Sequence, residues 1–101
     1  MQINIHAKDI TLQASHEDYI KEKLGKLTHY AEVLQDESVK CDVHVEKSKN
    51  KTQGLHVEMK ATILVPGDSL HAEVDAMQVT EAADLISEKL ERQVKKYKES
   101  R

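Results

Sequence analysis

The stretch EKLERQVKKYKESR, residues 88–101, holds six Lys or Arg against three Glu. Within it Lys89, Arg92 and Lys96 recur at i, i+3 and i+7, so a helix would carry them in one row, with Lys95 and Lys98 further round. A second row can be drawn earlier in the chain, where Tyr19, Lys23, Lys26 and Tyr30 follow i, i+4, i+7, i+11. Ammonium and guanidinium groups at such spacing suit phosphate oxygens, and a tyrosine beside them can stack on an unpaired base. The chemistry on offer is noncovalent binding of a polyanion. The whole chain is acidic, with a formal net charge of −3, so the positive charge is gathered in places rather than spread. Charge asymmetry of this kind marks surfaces that meet polyanions. Two plainer readings stay open: the lysines are solvated helix faces, and the two tyrosines shield the edge of the core.

Other chemistries are poorly supplied. The single cysteine, Cys41, reads as a small buried hydrophobe rather than a nucleophile. His6, His44, His56 and His71 alternate among Asp42, Glu46, Glu58 and Glu73, and side chains on adjacent strands come within about 5 Å. No local ligand spacing such as His-x3-His or Cys-x2-Cys accompanies them, so a solvated face without metal is expected. There is no Gly-rich phosphate loop and no pair of carboxylates in a predicted pocket, so neither an enzyme nor a cofactor is expected. No apolar run reaches the roughly 18 residues that span a bilayer. The opening MQINIHAKDI lacks a secretion signal, which points to the cytoplasm, with no membrane partner and no small-molecule substrate.

The elements that must position the two rows are legible as periodicities. Four stretches alternate with period two, each with one apolar and one polar side: residues 1–8, 39–46, 55–63 and 70–75. Clean polar sides exclude a sheet covered on both faces. Two stretches show helical period. In residues 15–34, Ile20, Leu24, Leu27, Ala31 and Leu34 form one stripe, with Gln13 or Ser15 near the cap and Gly25 as an internal cost of about 1 kcal/mol. In residues 77–98, Val79, Ala82, Ala83, Ile86, Leu90, Val94 and Tyr97 form the apolar face. Pro66-Gly67 suits a tight turn, and residues 47–51, with Lys47, Lys49 and Lys51, form the lysine-bearing tip of a longer hairpin. The expected architecture is one α/β (α+β) domain over residues 1–101. It has two layers in the order β-α-β-β-β-α, a four-stranded mixed sheet and two co-directional helices on one face. The first two strands should run parallel if they are neighbours. The cationic rows should then form parallel tracks about 10 Å apart.

These residues also carry a family likeness. Residues 84–98, DLISEKLERQVKKYK, resemble the last helix of the ribosome hibernation factors, the sigma-54 modulation protein family that includes hibernation promoting factor and ribosome-associated inhibitor A or protein Y. Asp84, Lys89, Leu90, Arg92, Gln93, Lys96 and Lys98 fall on that family's pattern. YIKEKLGKLTHY, residues 19–30, resembles its first helix through Lys23, Leu24, Lys26, Leu27 and Tyr30, and MQINIHAKDITL its opening strand. The resemblance spans essentially the whole chain and implies a dsRBD-like fold that catalyses nothing. It implies binding to the 30S subunit and its 16S rRNA, in the channel of mRNA and tRNA near the decoding site, under stress or in stationary phase. The implied RNA contacts are Lys23, Lys26, Lys89, Arg92, Lys96 and Lys98, with Lys95 adjacent to the pattern. It further implies a short-form member that needs a second factor for ribosome dimerisation. Departures are equally specific: Gln78, Val79 and Thr80 stand where the family has Asp-Met-Tyr, and Glu17 where an early Arg is common. The rival reading is a protein-interaction or dimerisation module that uses the open sheet face and binds no RNA.

Overall fold

A computed structural model describes residues 1–48 and 56–100. Leu55, Lys49, Lys51 and Arg101 lie outside the described residues, and with them most of the expected lysine-bearing hairpin tip.

The element order is β1 (Gln2–Lys8), α1 (Ala14–Gly25), two short 3-10 turns (Lys26–His29 and Glu32–Gln35), β2 (Lys40–Lys47), β3 (Val57–Val65), β4 (Asp68–Ala76) and α2 (Val79–Glu99). The four strands lie in the order β1-β2-β3-β4, with β1 parallel to β2 and the other pairs antiparallel. Parallel pairing of β1 and β2 follows from α1 crossing between them, because a parallel neighbour needs a long crossover rather than a tight turn. β3 and β4 need only Pro66 and Gly67. Gly67 sits at φ 79°, the left-handed region that glycine enters without steric cost.

Alternation becomes burial as the period-two pattern predicts. Cys41, Val43, Val45, Met59, Ala61 and Ile63 are completely buried, and they face Leu24, Ile86, Leu90 and Val94 from the helices. Coverage is uneven. α2 lies across β3 and β4, whereas α1 touches β1 lightly, so Ile3 and Ile5 on that edge are only half-buried. Cys41 is inert where it sits, since burial pushes its thiol up to about 12.

The first helix is shorter than its apolar stripe suggested. α1 ends at Gly25, and the chain continues in 3-10 turns, with Ala31 extended at φ −154° and ψ 129° between them. The Thr28 hydroxyl donates to the Gly25 carbonyl at 2.8 Å, satisfying an oxygen that the last helical turn leaves open. Leu27 and Leu34 are still buried, because steps of three residues serve a 3-10 turn as well as a helix.

Both α-helices begin on weak caps. Gln13 and Gln78 hold the N-cap positions, and neither side chain makes a capping bond. Ser15 lies inside the first turn of α1. Gln78 is too long to fold back on the N2 or N3 amide as Asp does. The variant Gln78→Asp is therefore expected to stabilise the protein by about 1 kcal/mol. In a thermal melt that corresponds to a midpoint about 4–8 °C higher for a domain of this size.

Candidate nucleic-acid interface

The helices run side by side in the same direction, as their contacts advance together: Tyr19 meets Asp84, Lys23 meets Asp84 and Ser87, and Tyr30 meets Glu91 and Lys95. Both cationic rows point the same way across the sheet, from β1 toward β4. The consequence differs for each. The α1 row faces α2, whereas the α2 row faces the flank over β4.

The first row enters a groove whose far wall is acidic. Lys23, Lys26 and Tyr30 share it with Asp84, Ser87, Glu88 and Glu91. The Tyr19 hydroxyl donates to Asp84 Oδ1 at 2.6 Å, and Lys23 Nζ lies 3.2 Å from the same oxygen. Lys26 approaches Glu22 at 3.9 Å, one turn back along the chain. Glu91 pushes up the pKa of the Tyr30 hydroxyl, and the Lys95 ammonium stands 4.9 Å from the Tyr30 ring centroid. Lys95 also pairs with Glu91 at 3.2 Å. The two tyrosines are therefore engaged as interhelical clasps. Each hydroxyl faces a carboxylate of α2, and each ring lies beneath an ammonium group, with Lys23 5.9 Å from the centroid of Tyr19.

The second row divides by partner. Lys89 Nζ donates to the Glu73 carbonyl of β4 at 3.0 Å. One turn on, Gln93 Nε2 donates to the His71 carbonyl at 2.6 Å while its Oε1 accepts from the His71 amide at 3.0 Å. Together Lys89 and Gln93 close the outer edge of β4, where backbone groups would otherwise be unpaired. Arg92, Lys96 and Lys98 are exposed and lie within ion-pair distance of no carboxylate among the described residues. Of the seven candidate cations they are the most available to a ligand. Sequence periodicity placed all seven cations on the helix surface, and the i, i+4 spacing of Glu91 and Lys95 is local, but it did not disclose Asp84 as the partner of Lys23 or Gln93 as a partner of the β4 edge. The only signal for Gln93 was its fixed place four residues after Lys89.

The opposite face of the sheet is polar and paired within itself. His6 and His44, opposite one another in register, stack with ring centroids 4.9 Å apart. His71 lies between Thr62 at 2.8 Å and Glu73 at 3.0 Å, and Lys60 pairs with Glu58 at 3.3 Å. Among the described residues, no three His, Cys, Asp or Glu side chains gather as a metal site. None of the described helices is long and apolar enough to cross a membrane.

Residues 3–101 match the profile of the Sigma 54 modulation protein / S30EA ribosomal protein family. The chain belongs to that family. It is 30% identical over 100 residues to a ribosome hibernation promoting factor of Pseudomonas putida, an alignment covering 98% of this chain and 88% of that protein. It is 34% identical over 98 residues to a ribosome hibernation promotion factor of Bacillus subtilis, covering 97% of this chain and 49% of the relative. The S30EA chain thus spans most of one relative and about half of the other. Its fold is shared with the Protein Y N-terminal domain of Thermus thermophilus, at a TM-score of 0.77 and 21% identity over 96% of this chain and 99% of that one. A ribosomal subunit interface protein from Coxiella burnetii superposes at a TM-score of 0.79 and 20% identity, covering 98% of this chain and 99% of that one.

Within this S30EA protein the clasp at Asp84 has a pH signature. The Tyr19 hydroxyl and the Lys23 ammonium hold the Asp84 carboxyl below its ordinary value. A carboxyl depressed in the folded state stabilises it above the unfolded value of about 3.9, and that contribution is lost as pH falls through the folded value. Asp84→Asn, which keeps an acceptor for Tyr19, is expected to lower the melting midpoint at pH 7 by about 2–5 °C, as suits an exposed pair. The gap to the unmodified protein should close as the melts are taken below pH 4.

Proposed function

We propose that this S30EA family protein is a ribosome hibernation factor, a binding protein rather than an enzyme. In this reading it sits in the cytoplasm on the 30S subunit and engages 16S rRNA in the mRNA and tRNA channel near the decoding site. Occupying that channel under stress or in stationary phase would stop initiation. The observation that carries the reading is the exposed pair Arg92 and Lys96 along α2, in one row with Lys89, with Lys95 and Lys98 exposed on the side toward Tyr30, in a chain whose relatives carry the hibernation name. Phosphate contacts supply affinity without reading sequence, which suits a factor that must recognise every ribosome alike. Lys23 and Lys26 border the same helical layer and contribute from the groove side.

The test is sedimentation with purified small subunits on sucrose gradients over a series of salt concentrations. Binding through about five phosphates predicts a log-log salt slope of about −4. Protein that stays at the top of the gradient at low salt would refute the reading. Binding with a flat salt dependence would favour a protein interface on the open face of the sheet instead.

A further inference from the structure

The groove between the helices is not a positive track. Its two ammonium groups, Lys23 and Lys26, face three carboxylates of α2, Asp84, Glu88 and Glu91. Asp84 is committed to the clasp with Tyr19 and Lys23. Glu91 holds something else: its Oε2 lies 3.2 Å from Lys95 Nζ, and its carboxylate pushes up the pKa of the Tyr30 hydroxyl. The same Lys95 ammonium stands over the Tyr30 ring. One carboxylate therefore occupies a cation of the kind that meets a phosphate of an RNA strand, and that cation in turn covers the Tyr30 ring.

We infer that Glu91 is a competing anion, standing where a phosphate would stand, and that RNA binding exchanges Glu91 for a backbone phosphate at Lys95, the ammonium that covers the Tyr30 ring. The inference rests on the function proposed above and adds a residue that limits its affinity. Exposed pairs of this kind are weak, so the exchange is reversible. It is still a step that every bound phosphate must complete at this position.

The test compares binding of purified 30S subunits by the unmodified protein and by Glu91→Gln across a potassium chloride series. Gln keeps an acceptor beside the Tyr30 hydroxyl and removes the charge. The expected result is binding about threefold tighter at low salt, with a salt slope steeper by about 0.7–0.9 as one more cation takes part in counterion release. Glu37→Gln changes the net charge equally at an exposed turn before β2 and is expected to give a smaller gain. In a Lys95→Ala background the gain from Glu91→Gln should vanish. An equal gain from Glu37→Gln, or a gain that survives Lys95→Ala, would overturn the inference and leave the proposed function standing. Failure of the unmodified protein to bind at low salt would instead remove the proposed function.

Discussion

Arg92→Glu combined with Lys96→Glu is expected to abolish association with small ribosomal subunits while leaving the protein folded. Each side chain is exposed and lies off the apolar face of α2. A hydrogen bond from a charged group contributes about 1.5–3 kcal/mol, and reversal adds repulsion, so the pair should weaken binding on the order of 100-fold or more. The salt slope should also fall by roughly two units, as two phosphate contacts disappear. Circular dichroism melts are the control. Substitutions at such positions cost within about 0.5 kcal/mol each, so the midpoint of the double variant should move by no more than about 8 °C. Undiminished sedimentation of the double variant with subunits would show that the contact surface lies elsewhere.

Leu90→Ala should do the opposite. Leu90 is fully buried, between Ile86 and Val94 on the inner face of α2. Truncation leaves a cavity under the helix and should cost about 2–5 kcal/mol. That is a large part of the 5–15 kcal/mol typical of a whole domain, and the midpoint should fall by about 10–30 °C. Binding measured well below the new midpoint should be nearly unchanged per folded molecule, with the same salt slope. Two variants altered a few residues apart on one helix thus separate folding from binding, because one removes apolar packing and the other reverses charge.

The layered fold was legible because burial imposes a period on the sequence. Cys41, Val43 and Val45 alternate with Asp42 and His44, and that register is the one the sheet adopts. The end of the first helix was not legible. Leu24, Leu27, Ala31 and Leu34 satisfy a stripe whether the backbone is α or 3-10 between them, and only the extended conformation at Ala31 decides. The error mattered little for the site, since Lys26 and Tyr30 still reach the groove shared with Lys23. What spacing could not disclose is the company these residues keep. Asp84 lies 65 positions from Tyr19 in the chain, and nothing local announces that they will meet. The rows of positive charge were visible as rows, and Glu22 and Glu91 stand one turn from Lys26 and Lys95, while the Asp84 carboxylate that meets Lys23 belongs to tertiary structure.

The attachment of α2 to the margin of β4 has a thermodynamic consequence. Lys89 and Gln93 fasten two successive turns of that helix to backbone groups of a strand, and Arg92 and Lys96 project from the turns so fastened. A partner meeting these two cations therefore need not order the main chain that bears them, and only their side-chain rotamers are left to freeze. Cutting the Gln93 tether would return that entropic burden to each encounter, eroding affinity without removing a single positive charge.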